Sequence, residues 1–208
     1  MKILPYLAQS SRGNESFNLI GQSEGAVGDW VAQLLSQHNF DPQKLNEPGP
    51  YTLTHQHLDS GGKYGRANKK GIEELAKYYN NAVPIFEAIR AAYSEASPVR
   101  CWPHFFDIAT LLTFEQKDSP ETATIGVGCS PGDSTYPEPY FYVSLWPYPS
   151  QERLPSITEP SFWHLVEFTA LILRSCDLVT KINVAKQHSQ VTAIIEQGVK
   201  ESVELLTI

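Results

Sequence analysis

Residues 140–146 are Tyr-Phe-Tyr-Val-Ser-Leu-Trp, a run in which apolar and more polar side chains alternate. Phe141, Val143 and Leu145 share one side of an extended chain, because successive side chains of a strand point to opposite faces. The other side carries Tyr140 and Tyr142. The run therefore predicts a β-strand with one buried face and one face rich in phenol groups.

Two earlier segments alternate in the same way. Residues 106–114 place Phe106, Ile108, Leu112 and Phe114 at alternate positions, and residues 122–129 do so with apolar side chains such as Val127. Their connections of roughly seven and nine residues suit antiparallel pairing, since parallel strands need a crossover of a dozen or more. We expect a meander of at least three strands. A fourth run, residues 166–173, is apolar on both faces and is a central strand or a helix, with strand favoured by its β-branched and aromatic residues.

Helical periodicity flanks this centre. Apolar residues recur at helical spacing over 68–95 and over 182–206, and Pro84 predicts a kink or break near Asn80-Asn81. A shorter amphipathic helix begins near Val27 and ends near His38-Asn39, and Asp41-Pro42 is typical of the start of another turn reaching about Asn46. We predict one α+β domain over residues 1–208, in which the two long helices pack on one side of the antiparallel sheet.

Composition limits the partners. The chain of 208 residues is 41% hydrophobic and carries a net charge of −7, which argues against a nucleic-acid surface. No segment is typical of a signal peptide or a membrane span, so we expect a soluble cytoplasmic protein. The three cysteines have no disulfide or zinc spacing, and we expect buried thiols. The partners we consider are a small molecule and a second copy of the chain.

The antiparallel order gathers polar residues at one edge of the sheet. His104 begins the first strand, Asp133 follows the second, and Tyr136 and Glu138 precede the third. We expect them to face a common cleft, where the imidazole could act as base or ligand and the carboxylates could bind metal or orient a partner. Since Asp107 is three positions from His104, a regular strand would turn the two to opposite faces. The alternative is a tight turn at Pro131-Gly132, capped by Asp133, with Glu138 exposed.

Two more residues extend this candidate cleft. Tyr140 belongs to the phenol-bearing side of its strand, which would form a wall of a small-molecule pocket. His164 reaches the same edge if residues 147–162 cross back along the sheet. Otherwise His164 lies beside aromatic core residues.

Residues 54–59, Thr-His-Gln-His-Leu-Asp, supply a second candidate. In an extended chain His55, His57 and Asp59 lie on one face, where two imidazoles and a carboxylate can hold one divalent metal. The string resembles five of six positions of the His-x-His-x-Asp-His signature of metallo-β-lactamase-like hydrolases, and Ser60 stands at the sixth. The alternative, favoured here, is a solvated loop leading to Gly61-Gly62.

Three longer strings resemble an uncharacterised bacterial protein family, a domain of unknown function. They are residues 101–107 (Cys-Trp-Pro-His-Phe-Phe-Asp), 125–133 (Ile-Gly-Val-Gly-Cys-Ser-Pro-Gly-Asp) and 138–143 (Glu-Pro-Tyr-Phe-Tyr-Val), and the similarity covers about residues 97–173. Family members carry a second His where Phe105 stands, and Trp-His-Thr-Glu-Gly-Trp over residues 163–168. The resemblance implies no activity, and it points to the same positions as the candidate cleft.

Two functions follow as hypotheses, and a scaffold subunit without a pocket is a third. The first is a domain that binds a small ligand or a partner in an aromatic and polar cleft. The second is a metal-dependent hydrolase, in which His and Asp or Glu ligands hold a divalent metal that activates water.

Overall fold

The computed structural model describes residues 6–10, 13–47, 58, 60–66, 68–115 and 122–207. The chain forms two compact units, Met1–Lys69 and Lys70–Ile208, each with its own elements. The single domain over 1–208 stays a prediction. Of the sequence candidates, His55, His57 and Asp59 lie outside the described residues. Within the described ranges, no helix combines the length and the apolar character that crossing a membrane requires.

The first unit contains a hairpin and one long helix. Its strands, β1 (Tyr6–Ser10) and β2 (Gly13–Phe17), pair antiparallel and were not predicted from the sequence. Helix α1 covers Glu24–Gln37, and the Ser23 side chain accepts a hydrogen bond from the Ala26 backbone N–H at 3.2 Å. This N-cap satisfies one of the free donors of the first turn. The structure confirms the helix predicted here, which is capped by His38 at its end.

A 3-10 helix, Pro42–Asn46, follows in the same unit. The Asp41 carboxylate accepts a hydrogen bond from the Gln43 backbone N–H at 2.9 Å, and proline occupies the first turn, where its missing N–H costs nothing. The predicted start at Asp41-Pro42 is therefore confirmed.

The second unit is built around a six-stranded sheet. Its elements are α2 (Lys69–Ala92), β3 (Arg100–Trp102), β4 (Asp107–Phe114), β5 (Ala123–Ser130), β6 (Tyr140–Trp146), a 3-10 turn (Gln151–Arg153), β7 (Phe162–His164), β8 (Thr169–Arg174), α3 (Ser175–Lys181), a 3-10 turn (Val184–Lys186) and α4 (Gln187–Thr207). The strand order is β3-β4-β5-β6-β8-β7, and every neighbouring pair is antiparallel. The α+β class and the meander are confirmed.

The register follows the predicted alternation. Cys129 lies opposite Ile108 on one side and Phe141 on the other, so apolar positions align across three strands. The run at residues 166–173, which the sequence left open between strand and helix, forms a strand from Thr169 onward. This strand, β8, lies between β6 and β7. One face of the sheet carries the core, with fully or nearly fully buried Leu112, Ile125, Val127, Phe141, Val143, Leu171 and Leu173.

Residues of α2 and α4 belong to the same core cluster. The Phe86 ring meets the Phe141 ring edge to face, with centroids 6.3 Å apart. On α4, a Cβ at Gly198 would lie 3.2 Å from the Leu171 side chain and 3.4 Å from that of Val143. A residue that weakens a helix in isolation thus permits close contact between α4 and the sheet.

Helix α2 continues through Pro84, so the break predicted near Asn80-Asn81 is wrong and the kink stays a prediction. An interior proline costs about 3 kcal/mol through its missing N–H and its ring. Ile85, Phe86 and Ile89 are each at most 3% exposed, and burying such side chains contributes about 1.5–3 kcal/mol apiece. Burial of the side chains that follow the proline therefore outweighs its local cost.

The C-terminal helix starts later than predicted. Instead of beginning at Ile182, the chain is extended at Ile182 and Asn183, and α4 begins at Gln187. The Asn183 side chain accepts a hydrogen bond from the Ala185 backbone N–H at 3.0 Å, which caps a 3-10 turn instead of continuing a helix. The short helix α3 was not predicted.

Phe106 is the exception to the buried alternation. It was expected in the core with Ile108, but it is 58% exposed and has φ of 57°. Its backbone N–H donates to the Trp102 carbonyl at 2.8 Å, which closes a turn between the paired residues Trp102 and Asp107. The left-handed conformation takes Phe106 out of the strand pattern, so β4 starts one residue later.

Candidate functional site

A cleft of about 510 Å³ lies on the sheet face opposite the core. Strand β5 contributes residues without bulky side chains here, Gly126 among them, whereas β6 contributes Tyr140 and Tyr142. Strand β4 contributes Asp107 and Leu111, and loops add residues such as His104 and Asp133. The alternation that buries one face of β6 therefore places its phenols on the face that forms the cleft.

Gly128 makes room for the ring of Tyr142. A Cβ at this position would lie 2.4 Å from the Tyr142 hydroxyl oxygen and 2.8 Å from the Ala109 Cβ, closer than real contacts allow. Gly128 and Tyr142 lie directly opposite each other in the β5–β6 register. With glycine, the ring of Tyr142 lies across β5 toward β4.

The Tyr142 hydroxyl donates a hydrogen bond to Asp107 Oδ2 at the start of β4. Burial, reinforced by the neighbouring Asp107 carboxylate, raises the pKa of Tyr142 well above its usual value, so the phenol is a donor at neutral pH. Asp107 is 7% exposed, and its other oxygen, Oδ1, is buried with no hydrogen-bond partner among the described residues.

Asp133 is held by three donors. Its Oδ1 accepts from the backbone N–H groups of Thr135 at 2.7 Å and Tyr136 at 2.8 Å, while Oδ2 accepts from the Tyr140 hydroxyl at 2.6 Å. Burial first, and then the bond to Asp133, raises the pKa of Tyr140. Asp133 therefore orders the β5–β6 loop and fixes one wall of the cleft.

Removing the Tyr140 hydroxyl is expected to reduce the fall of the free energy of unfolding with rising pH in the alkaline range. Because the pKa of Tyr140 is raised in the folded protein, the unfolded chain loses this proton first, near the ordinary value of about 10. The contribution of the protonated Tyr140 hydroxyl to the free energy of unfolding is complete below about pH 10 and falls by up to about 1.4 kcal/mol per pH unit above it. Tyr140→Phe should lose this slope in urea unfolding between about pH 9 and 11.

The matched control is Tyr148→Phe, at a ring that is 49% exposed. This variant should keep the wild-type slope. An unchanged slope in Tyr140→Phe would contradict the assignment of Tyr140 as a buried donor to Asp133.

Tyr136 and His164 form a pair beside the cleft, outside its lining. The Val166 carbonyl can only accept, so His164 Nε2, 2.6 Å away, donates to it. His164 Nδ1 and the Tyr136 hydroxyl form a second hydrogen bond of 2.7 Å. His164 is 9% exposed, and its ring stacks on Phe168, which does line the cleft. The pair supports the wall formed by Phe168.

Glu138 is engaged at the start of α3 and is not among the cleft-lining residues. Its Oε2 accepts from the Ser175 hydroxyl at 2.5 Å and from the Cys176 backbone N–H at 2.7 Å. These hydrogen bonds lower the pKa of the Glu138 carboxyl. Glu138 thus caps a helix from a distant part of the chain, a role its sequence position does not reveal.

The sequence candidates are therefore divided between two places. His104, Asp133 and Tyr140 line the cleft, while Tyr136, Glu138 and His164 are held in contacts outside its lining. Asp107 and His104 both line the cleft, because His104 belongs to the turn that precedes β4 and the two residues are not joined by a regular strand. The position of Asp107 next to a turn is the sequence feature that could have identified it as a cleft residue.

The cysteines are free thiols in different environments. Cys129 is buried as expected, whereas Cys101 is exposed and Cys176 is half-buried. Burial raises the pKa of Cys129 to about 12, so its thiol is protonated and unreactive at neutral pH. Burial also raises the pKa of Cys101, and the hydrogen bond with Glu138 does so for Cys176.

Among the residues with described positions, no three His, Cys, Asp or Glu side chains form a group that could hold a metal ion. The predicted ligands His55, His57 and Asp59 are outside that set, so the metal-dependent hydrolase stays a prediction.

Comparison with known proteins does not add a relative. No protein-family model, curated protein or solved structure matches the chain. The resemblance to a bacterial family accordingly stays a prediction, and the functional argument rests on the cleft itself.

Proposed function

We propose that the protein binds a small molecule in the cleft on the open face of its sheet. The observation that carries the proposal is a concave surface in which aromatic walls surround a buried carboxylate, Asp107. Small-molecule sites are typically 300–1,000 Å³, mostly apolar, with a few well-placed polar groups. A cleft of about 510 Å³ falls within that range.

The aromatic walls are fixed before any ligand arrives. The Tyr142 hydroxyl bonds to Asp107, the Tyr140 hydroxyl bonds to Asp133, and Phe168 stacks on His164 with centroids 4.2 Å apart. Side chains that are already ordered lose less conformational entropy on binding. This order supports recognition of a defined ligand.

The phenols of the lining favour binding over proton abstraction. The raised pKa values of Tyr140 and Tyr142 keep both phenols protonated, so neither is a base at neutral pH. Both hydroxyl protons are already committed to carboxylates. We therefore propose a binding role for the cleft.

A second groove is a weaker candidate. It measures about 400 Å³ and lies between α2, α3 and α4, with Tyr78, Asn81 and His188 in its lining. Its charged lining residues Glu74 and Lys77 form an exposed ion pair of 2.5 Å. Exposed pairs of this kind contribute little to recognition, whereas Asp107 in the cleft is buried.

The proposal is tested by blocking the cleft. Ser144 lines it from β6, and Ser144→Phe should fill it. Thr113→Phe is the matched control, because Thr113 occupies the same sheet face on β4, is exposed and does not line the cleft. Ligand-observed NMR with a collection of charged and neutral fragments gives the readout, and circular dichroism checks that both variants fold.

We expect fragments that bind the wild type to lose about tenfold or more in affinity with Ser144→Phe and to bind Thr113→Phe normally. Fragments that are indifferent to Ser144→Phe, or a collection without any binder, would overturn the proposal.

A further inference from the structure

We infer that the ligand of this cleft is an organic cation, a primary or secondary ammonium attached to an apolar body, whose N–H groups bind Asp107. The inference rests on the proposed function and names its ligand class. It is carried by the charge of the lining, by its aromatic side chains, and by the unpartnered oxygen of Asp107.

The charges that line the cleft are negative. Asp107, Asp133 and Glu167 lie in the lining, and no Lys or Arg is found among its described residues. Arg174, at the end of β8, is committed elsewhere: its Nε donates to Asp177 Oδ2 at 2.9 Å, and its guanidinium lies 5.4 Å from the Phe162 ring centroid. An anionic ligand would face repulsion here, whereas a cation would be attracted.

The aromatic residues favour the same charge. Tyr140, Tyr142, Trp146 and Tyr148 line the cleft together with Phe105 and Phe168. The face of an aromatic ring is the negative end of its quadrupole, so a cation near it is stabilised, and tryptophan and tyrosine do this best. The same rings accommodate the apolar body of a ligand.

Beyond the general attraction of the lining for a cation, Asp107 offers a specific group to which the cation can bind. Both oxygens of Asp133 already accept hydrogen bonds, from two backbone N–H groups and from Tyr140. Within the described part of the chain, Asp107 accepts only from Tyr142, on Oδ2, and its Oδ1 has no partner. The residue is nevertheless buried, with only 7% of its surface exposed. A buried carboxylate oxygen without a donor is costly.

An ammonium that binds there would supply both the donor and the opposite charge. Charge-assisted hydrogen bonds between ammonium and carboxylate are roughly twice as strong as neutral ones. Primary and secondary ammonium groups have N–H donors, and a quaternary ammonium has none. The attachment therefore selects protonated amines.

The first test needs only the wild-type protein. Isothermal titration at about pH 7 compares 2-phenylethylamine with 2-phenylethanol, a neutral analogue of the same shape, and with phenylacetate, an anion. We expect the amine to bind about tenfold or more tightly than the alcohol, and the anion to bind most weakly. Equal affinities of amine and alcohol would overturn the cationic class while leaving a binding cleft in place. A wild type that binds none of the three would overturn the inference as well.

The second test assigns the contact. Asp107→Asn should reduce the affinity for the amine about tenfold or more, to that of the alcohol, and should leave the affinity for the alcohol within about twofold. Glu152→Gln removes an exposed carboxylate outside the cleft lining, so it is the matched control and should change the affinity for the amine by no more than about twofold. Retained amine binding in Asp107→Asn would overturn the assignment of Asp107.

Discussion

Phe86→Ala is expected to lower the free energy of unfolding by about 3–5 kcal/mol, the range for truncating a buried phenylalanine. Phe86 is completely buried on α2, and its ring packs against Phe141 of β6. The substitution removes the ring from the core cluster and leaves a cavity between helix and sheet. Urea unfolding followed by circular dichroism measures the loss.

The control for this prediction is Phe106→Ala. Phe106 is 58% exposed, so the same change of residue should cost less than about 1 kcal/mol there. Similar losses for the two variants would show that the buried and exposed phenylalanines are wrongly assigned.

Gly128→Ala is expected to destabilise the protein by about 1–3 kcal/mol, a typical cost of overpacking. The new Cβ would lie 2.4 Å from the Tyr142 hydroxyl and 2.8 Å from the Ala109 Cβ. Tyr142 must move, which breaks its hydrogen bond to Asp107 and leaves that buried carboxylate without its donor. Urea unfolding gives the stability, and titration with 2-phenylethylamine shows whether the cleft is deformed.

The matched glycine is Gly126, two residues earlier on β5. A Cβ there would lie 2.6 Å from Ser144 Oγ, a small group that can rotate away about one bond. Gly126→Ala should therefore cost less than Gly128→Ala. The reverse order would contradict the role of Gly128 as the space for Tyr142.

The sequence allowed the sheet to be predicted because its alternation has a direct physical cause. Residues Phe141, Val143 and Leu145 are buried as expected, since one sheet face must cover the core. The same reasoning failed at Phe106, where a left-handed turn residue interrupts the period. Local periodicity does not show where a strand begins when a turn adjoins it.

The candidate site was predicted only in part, because side chains meet through tertiary contacts. Asp133 and Tyr140 are close in sequence and were both proposed, and they form a hydrogen bond. Glu138 was proposed with them, but its partners Ser175 and Cys176 lie about 37 residues further along, beyond the reach of pattern reasoning. A regular strand would turn Asp107 and His104 to opposite faces, but residues 103–106 form a turn and both side chains line the cleft.

The central claim is that the open face of the sheet is the ligand site, and backbone amide NMR tests it most directly. The isotope-labelled protein is titrated with 2-phenylethylamine, and the shift changes are mapped onto the chain. The account predicts that the largest changes occur at Gly126, Asp107 and Tyr142, around the cleft. Largest changes at Asn81 and His188, in the groove beside α2 and α4, would contradict it.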